Sequence, residues 1–223
     1  MEITPIAHFH SPFTSKFGIP KQSSLVEELE GTIVFEPSFR DADYVRGLEE
    51  FDFIWLIWGF SANAHEATSP LVRPPLLGGN ARVGVFASRS PYRPNPLALS
   101  SVRISRIEHD EQLGTIIHVL GADLMDGTPI YDIKPYIAFA DAHPQARSGF
   151  VDTNKMRRLN VVFQDDVAEK LTSDQTDLLR KILQLDPRPH YQNDPNRVYG
   201  MMFDGKDLHF VVKDDKLTVV SFS

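Results

Sequence analysis

The 223-residue chain contains no cysteine. Disulfides, thiolate zinc sites and cysteine nucleophiles are therefore excluded, which fits a reducing compartment. Long apolar runs are missing too: the longest, Phe53 to Phe60, is far too short to cross a bilayer. The opening residues Met1-Glu2-Ile3-Thr4 have neither a basic n-region nor an apolar h-region, so the sequence predicts a cytoplasmic protein with no membrane role. Nucleotide-binding glycine patterns are lacking as well. The stretch Gly78-Gly79-Asn80-Ala81-Arg82-Val83-Gly84 does not have the G-x-G-x-x-G spacing and no strand-to-helix pattern follows it, while a P-loop is absent altogether. Metal sites fare no better. His65-Glu66 has Ser69 where a zincin would carry its second histidine, and His8 and His10 share one face of a strand, so no metal is expected.

The hydrophobic content of 42% and charged content of 24% are those of a globular chain able to bury a core in one domain or one and a half. The net charge of −7 argues against indiscriminate nucleic-acid binding, but acidic residues are distributed unevenly. From Ala67 to Ile107 there is no Asp, Glu or Lys, yet there are six arginines: Arg73, Arg82, Arg89, Arg93, Arg103 and Arg106. A guanidinium fork reads phosphate and carboxylate in bidentate fashion, so this island marks an anion-recognising region. Arg103 and Arg106 alternate with Val102, Ile104 and Ile107, which is equally compatible with solvation of a strand face.

The first two thirds read as mainly β, with short β-branched or aromatic runs at 3–9, 32–35, 53–57, 81–86, 102–107 and 115–120. Many short strands with proline-rich connections predict a barrel or sandwich. Asp41 is placed to cap a short helix that turns Val45 and Leu48 inward and ends near Glu50. Phe51, Phe53, Trp55 and Trp58 lie in a nearly continuous apolar run and are expected in the core. Between about Ser148 and Asn160 the chain turns polar, and a second pattern begins. Thr172 or Ser173 caps a helix with Leu178, Leu179, Ile182 and Leu183 on one face, stopped by Asp186-Pro187-Arg188-Pro189. Three strands follow, at 198–203, 208–212 and 217–222, joined by a hairpin turn at Asp204-Gly205 and a weaker one at Asp214-Asp215. The expected architecture is a β-barrel over 1–160 that carries the chemistry, with a small α+β C-terminal domain over 161–223.

Two polar blocks are held by prolines: Arg89-Ser90-Pro91-Tyr92-Arg93-Pro94-Asn95-Pro96, and Asp126-Gly127-Thr128-Pro129 running to Asp132-Ile133-Lys134-Pro135-Tyr136. Each proline fixes its own φ and biases its predecessor toward extended backbone, which holds the side chains between at low entropic cost. At these blocks the chain resembles the TsaA-like family, and within it the TrmO-type tRNA methyltransferases, over essentially its whole length. The resemblance is carried also by Pro20-Lys21-Gln22, Val45-Arg46-Gly47-Leu48-Glu49, Val72-Arg73-Pro74-Pro75, Leu77 to Phe86 and Asp186-Pro187-Arg188-Pro189. The last of these points to the long bacterial form.

The resemblance implies a homodimeric enzyme that holds S-adenosylmethionine in a β-barrel, outside any Rossmann sheet. It implies methylation of N6 of N6-threonylcarbamoyladenosine, next to the anticodon in tRNA. It also implies cofactor contacts at Pro20, Lys21, Gln22, Ser61, Ala62, Arg89, Leu99, Asp123, Leu124, Met125 and Asp126; relatives often carry a polar or His-containing pair where this chain has Ser61-Ala62. Methyl transfer from a sulfonium is an in-line displacement, so alignment and water exclusion outweigh acid–base work. Asp132 or Tyr136 is placed to help remove the N6 proton with Lys134 stabilising negative charge, although Asp132 and Lys134 equally suit a mutual ion pair that shapes the loop. Arg73, Arg82, Arg93 and Asn95 are the candidate substrate contacts, with the cofactor carboxylate, the threonyl carboxylate and a phosphate as the anions Arg89 and Arg93 would answer. A non-catalytic RNA-binding barrel, or a methyltransferase acting on a small molecule or protein, remains the alternative. A chain ending near Gln164 is expected to keep its fold and its cofactor, with Arg188, His190 and Arg197 of the tail serving tRNA docking or dimer packing.

Overall fold

The computed structural model describes residues 2–62, 69–154, 156–189, 192 and 194–223. His65-Glu66 and His190 fall outside these described residues. Six antiparallel strands form a closed barrel: β1 (Ala7–His10), β2 (Glu30–Phe35), β3 (Phe53–Gly59), β6 (Leu97–Asp110), β7 (Gly114–Leu120) and β8 (Thr128–Pro135), in the order β1-β2-β7-β6-β3-β8, with β8 returning to β1. Between β3 and β6 a two-stranded ladder of β4 (Leu71–Val72) and β5 (Val83–Gly84) shapes the arginine-rich excursion. Closure removes the unpaired edges that a sheet of this size would otherwise expose.

The barrel interior is a packed core. Phe9, Ile33, Ile54, Leu56, Val102, Ile117, Val119 and Ile130 are essentially fully buried and point inward at every second residue of their strands. Gly31 is required by this packing, because a Cβ there would stand 2.1 Å from Cζ of Phe9. The aromatic run of β3 does not follow the expectation of complete burial. Ile54, Leu56 and Trp58 face inward, whereas Phe53 is 37% exposed, Phe51 is 38% exposed and Trp55 is only half-buried. A continuous apolar run suits burial on both faces; here the outer face carries aromatic side chains that pack on Tyr136, 5.6 Å from Trp55 and 6.2 Å from Phe53 between ring centroids.

The proline-rich block after Asp126 also differs from expectation, since much of it is strand β8 and no loop. Proline lacks an N–H for the ladder, and β8 accommodates Pro129 opposite His8 and Pro135 opposite Ile54. A bulge at Tyr131 puts Asp132 opposite Ile57 and Ile130 opposite Trp58. The extra residue shifts the alternation, so Ile130 and Ile133 both pack toward the core while Asp132 and Lys134 face out beside Ile57 and Trp55. The Asp41 cap is present and accepts from the Asp43 amide at 2.9 Å, but the element it starts is a short 3-10 turn ended by Gly47 at φ 85°.

The tail forms a mixed sheet in the order β10-β11-β12-β9, from β9 (Asn160–Phe163), β10 (Val198–Phe203), β11 (Lys206–Lys213) and β12 (Lys216–Phe222). The three expected antiparallel strands are joined by β9, which runs parallel to β12 out of the polar boundary segment. A helix at Ser173–Leu183 starts in a capping box between Thr172 and Gln175 and buries Leu179, Ile182 and Leu183. Among the described residues no helix is long and apolar enough to cross a membrane.

The core of the tail is not its own alone. Phe13, Val26 and Leu29, all between β1 and β2, are buried in it, and Phe17, Ile19 and Leu25 pack against its rim. Phe13 meets Phe203 edge-on at 5.4 Å, Phe17 stacks on Phe210 at 6.2 Å, and the Asp204 amide donates to the Pro12 carbonyl at 3.0 Å. Gly18, at φ 99°, lies so close to Met201 that a Cβ would come within 2.6 Å of its Cε. Independence of the first 164 residues therefore does not follow from the packing. A chain ending at Gln164 should expose Phe13, Val26 and Leu29, bind a hydrophobic dye and lose its cooperative thermal transition; a sharp transition without dye binding would show that residues 11–29 find another core.

Candidate cofactor site

Residues 11–29 pass between the two cores and present Lys16, Ile19, Pro20, Lys21 and Gln22 to a cavity of about 700 Å³ at one end of the barrel. The opposite wall is the proline-locked segment after β5. Ser88 donates to the Val85 carbonyl at 2.8 Å and accepts from the Ser90 amide, Ser90 accepts from the Tyr92 amide, and Arg93 Nη1 donates to the carbonyl of Ser88 at 3.2 Å. These successive hydroxyl turns fix the loop so that Arg89 donates to the side chain of Gln22 across the mouth. Two segments 67 residues apart are thereby joined above the cavity.

The floor comes from strand ends. Ile57, Trp58 and Gly59 of β3, Leu97 to Ser100 of β6 and Thr128 of β8 meet the segment after β7, from which Asp123 and Met125 enter. That segment is tied down by the Asp126 amide on the Phe13 carbonyl and by Thr128 Oγ1 on the Met125 carbonyl, at 2.8 and 2.7 Å. Asp123 accepts from Ser100 Oγ at 2.6 Å. Burial pushes its carboxyl above the ordinary aspartate value, opposed by the Ser100 hydroxyl, neighbouring amides and the charge of Arg89.

Nine of the eleven expected cofactor residues line this cavity: Pro20, Lys21, Gln22, Ser61, Ala62, Arg89, Leu99, Asp123 and Met125. The other two do not. Leu124 is 1% exposed and belongs to the barrel core, while Asp126 turns away to accept from the Ser11 amide at 3.2 Å and to pair with His10 at 3.1 Å. Of the candidate substrate contacts, Arg93 lines the cavity and Arg73, Arg82 and Asn95 are exposed outside it. Asp132, Lys134 and Tyr136 are not brought to the cavity within this chain. Lys134 Nζ lies 2.9 Å from Asp132 Oδ2, the ion-pair arrangement, on the outer face of the barrel. The sequence places Trp58 in the core and leaves Ser100 outside the expected strand at 102–107, whereas both line the cavity. The signal for Ser100 was a hydroxyl at an inward position of an apolar strand.

The tail reaches this site through charge. Asp186, in left-handed backbone at φ 51°, holds the guanidinium of Arg188 with Oδ1 to Nε at 2.8 Å and Oδ2 to Nη2 at 2.9 Å. Burial raises the Asp186 carboxyl, but the hydrogen bonds and charge of Arg188, with the charge of Lys21, bring it below the ordinary value overall. Lys21 is an exposed residue taken whole, yet burial of its amine lowers it below the usual lysine range while Asp186 pulls the other way. Among the described residues no group of three or more His, Asp or Glu could hold a metal ion.

A closed barrel with a cofactor-sized cavity at one end, apolar in its walls and charged at its mouth and floor, defines a small-molecule-binding barrel of non-Rossmann type. The family model described as the tRNA-methyltransferase O N-terminal domain matches residues 8–142, and the TrmO C-terminal domain matches 156–223. The chain is 35% identical over 218 residues to the tRNA (adenine(37)-N6)-methyltransferase of Escherichia coli K12, covering 94% of this chain and 92% of the relative. It is 43% identical over 164 residues to the protein of the same name from Eikenella corrodens, covering 73% and 92%. A solved crystal structure of TrmO superposes with a TM-score of 0.81 at 28% identity over 100% of this chain and 99% of that one. The chain belongs to the TrmO family.

Because Arg188 is 6% exposed, Asp186→Asn should leave a buried guanidinium half-answered and cost about 3 kcal/mol near neutral pH, the low end for a broken buried pair. Asp186 contributes stability above its unfolded value, near 3.9, and loses it as pH falls through its lower folded value. The stability gap between wild type and variant should therefore close in acid below about pH 4; urea denaturation across pH measures it, and a gap independent of pH would contradict the pairing.

Proposed function

We propose that this protein is an S-adenosylmethionine-dependent tRNA methyltransferase that methylates N6 of N6-threonylcarbamoyladenosine beside the anticodon. The observation that carries the proposal is the cavity: Ile57, Trp58, Phe60, Leu97 and Met125 offer apolar walls, Arg89 offers a partner for a carboxylate, and Asp123 offers one for a cation or a ribose hydroxyl. That donor set suits an amino acid joined to a nucleoside. Its volume lies within the usual range for small-molecule sites. S-adenosylmethionine, when bound, supplies an electrophilic methyl group on a sulfonium leaving group.

The residues of the chain then bind, orient and exclude water. Pro20 to Gln22 and Arg89 close the mouth, and the rigid Ser88 to Arg93 turns hold Arg93 at the rim, where a guanidinium would meet the threonyl carboxylate. Arg73 and Arg82 are exposed on the excursion between β3 and β6, with Phe86 79% exposed and Tyr92 47% exposed nearby in sequence. Arginines among exposed aromatic rings suit an unpaired RNA loop, which is held by phosphate contacts and by stacking. This favours tRNA over a small molecule or protein as substrate, and the cavity favours an enzyme over a passive RNA-binding barrel. Such a substrate puts the protein in the cytoplasm.

We also propose a homodimer. Support comes from the apolar outer face near the end of β8, where Phe139 is 92% exposed, Ile137 40% and Phe53 37%. Asp132, Lys134 and Tyr136 share that side of the barrel, so a contribution from them to proton removal would come through a second copy docked there. The division of labour proposed for the two domains is that the barrel binds cofactor and substrate while the tail supports the Pro20-Lys21-Gln22 loop.

Purified protein should bind S-adenosylmethionine in calorimetry and add one methyl group to tRNA that carries the threonylcarbamoyl modification. The product is read as a mass increase on that nucleoside. Arg93→Ala should reduce the preference for modified over unmodified tRNA as well as the rate; equal methylation of both tRNAs by the wild type would refute the substrate. Phe139→Glu should shift the molecular mass in light scattering from dimer to monomer without loss of folding, and a wild type that is already monomeric would remove the dimer from the proposal.

A further inference from the structure

The charges around the cavity are unequal in number. Lys16, Lys21, Arg89 and Arg93 line it, and Asp123 is the one acid among its described lining residues. Four cations thus share the cavity with a single carboxylate. Behind Asp123 stands a chain of hydrogen bonds with a fixed direction. Trp58 Nε1 donates to Ser100 Oγ at 2.9 Å, and Ser100 Oγ donates to Asp123 Oδ1 at 2.6 Å. An indole N–H can only donate, so the hydroxyl must accept from Trp58 and has its one proton left for the carboxylate. Ser100 is 2% exposed and Trp58 7%, so water does not compete for either bond. The chain thus presents a side-chain hydrogen-bond donor to Oδ1 of Asp123, whose carboxylate also receives backbone amides, that of Ser23 among them, at the cavity floor.

We propose that Ser100, oriented by Trp58, is a positioning residue that keeps Asp123 aimed into the cavity as a carboxylate to receive a cationic group of the bound cofactor. This inference rests on S-adenosylmethionine as cofactor, whose sulfonium and α-ammonium are the two cationic groups available. A buried carboxylate facing such a group is favoured only while ionised, and burial works against ionisation at this position, whereas the Ser100 bond, the neighbouring amides and Arg89 work for it. Removing the hydroxyl should therefore move the acid limb of cofactor binding to higher pH. The other charged groups at the cavity do not produce such a limb. Lys16, Lys21, Arg89 and Arg93 are cationic side chains, and Asp123 is the one carboxylate among the described lining residues. His10, which pairs with Asp126 next to this segment, is controlled by His10→Gln.

The test is calorimetric titration of the full-length protein with S-adenosylmethionine and with S-adenosylhomocysteine between pH 5 and 7.5. Variants are Ser100→Ala, Ser100→Thr, Asp123→Asn and His10→Gln, each checked for an unchanged melting transition. Ser100→Ala should weaken S-adenosylmethionine about tenfold at the acid end and less near neutrality, Ser100→Thr should restore the wild-type profile by restoring the hydroxyl, and Asp123→Asn should abolish the limb. A loss confined to S-adenosylmethionine assigns the sulfonium as partner, and an equal loss for both ligands assigns the ammonium; either supports the proposal. Wild-type affinity and profile in Ser100→Ala, or a loss independent of pH that Ser100→Thr does not rescue, overturns it. Failure of the wild type to bind S-adenosylmethionine would instead remove the cofactor assignment, and this proposal with it.

Discussion

The structure depends on one shared segment. Residues 11–29 leave the barrel after β1, bury Phe13, Val26 and Leu29 in the core of the tail, and return as β2. Apolar burial of three large side chains is worth several kcal/mol, on the order of 2 kcal/mol each, so the segment has one well-defined path. The wall of the cavity follows from that path. Pro20, Lys21 and Gln22 stand at its outer turn, backed by Phe17 on Phe210 and by the Asp186–Arg188 pair. A loop of this length with no partner would be mobile; between two cores it is a fixed part of the site.

Positioning of this kind suits methyl transfer, in which alignment of nucleophile and methyl group matters most. The groups that line the cavity are a mouth of cations, a floor carboxylate and apolar walls. Their part in displacement at carbon is distance, orientation and dryness, while the proton that N6 gives up has to pass to a base or to water.

The local signals in the sequence were legible where physics is local. The Thr172 capping box, the Asp204-Gly205 hairpin with φ of 51° and 72°, and the strand-like runs at 102–107 and 115–120, which fall within β6 and β7, each appear where the pattern puts them. Strand β8 was hidden because its prolines speak for a loop unless the ladder is known to need no N–H at those positions. The outer exposure of Phe53 and Trp55 was hidden because a run of apolar residues does not say how many of its faces are covered. The union of residues 11–29 with the tail is a contact across more than 130 residues, invisible to any window. Resemblance to a family supplied the cavity residues, yet it could not distinguish Leu124, which packs inward, from its neighbours Asp123 and Met125, which line the site.

The barrel closes by pairing Ala7 with Ile130, and this has a consequence for the order of events during synthesis. At ribosomal rates the first strand waits on the order of ten seconds for its second neighbour to be made. Phe13 and Val26 wait longer still, since Leu208, Phe210 and Leu217 of the core they enter lie near the end of the chain. Segment 11–29 therefore finds its second core late in synthesis. Until β11 and β12 have emerged, Phe13 and Phe17 have no core to enter, and a translational pause after β8 would prolong that exposure and leave the Pro20-Lys21-Gln22 loop without its backing.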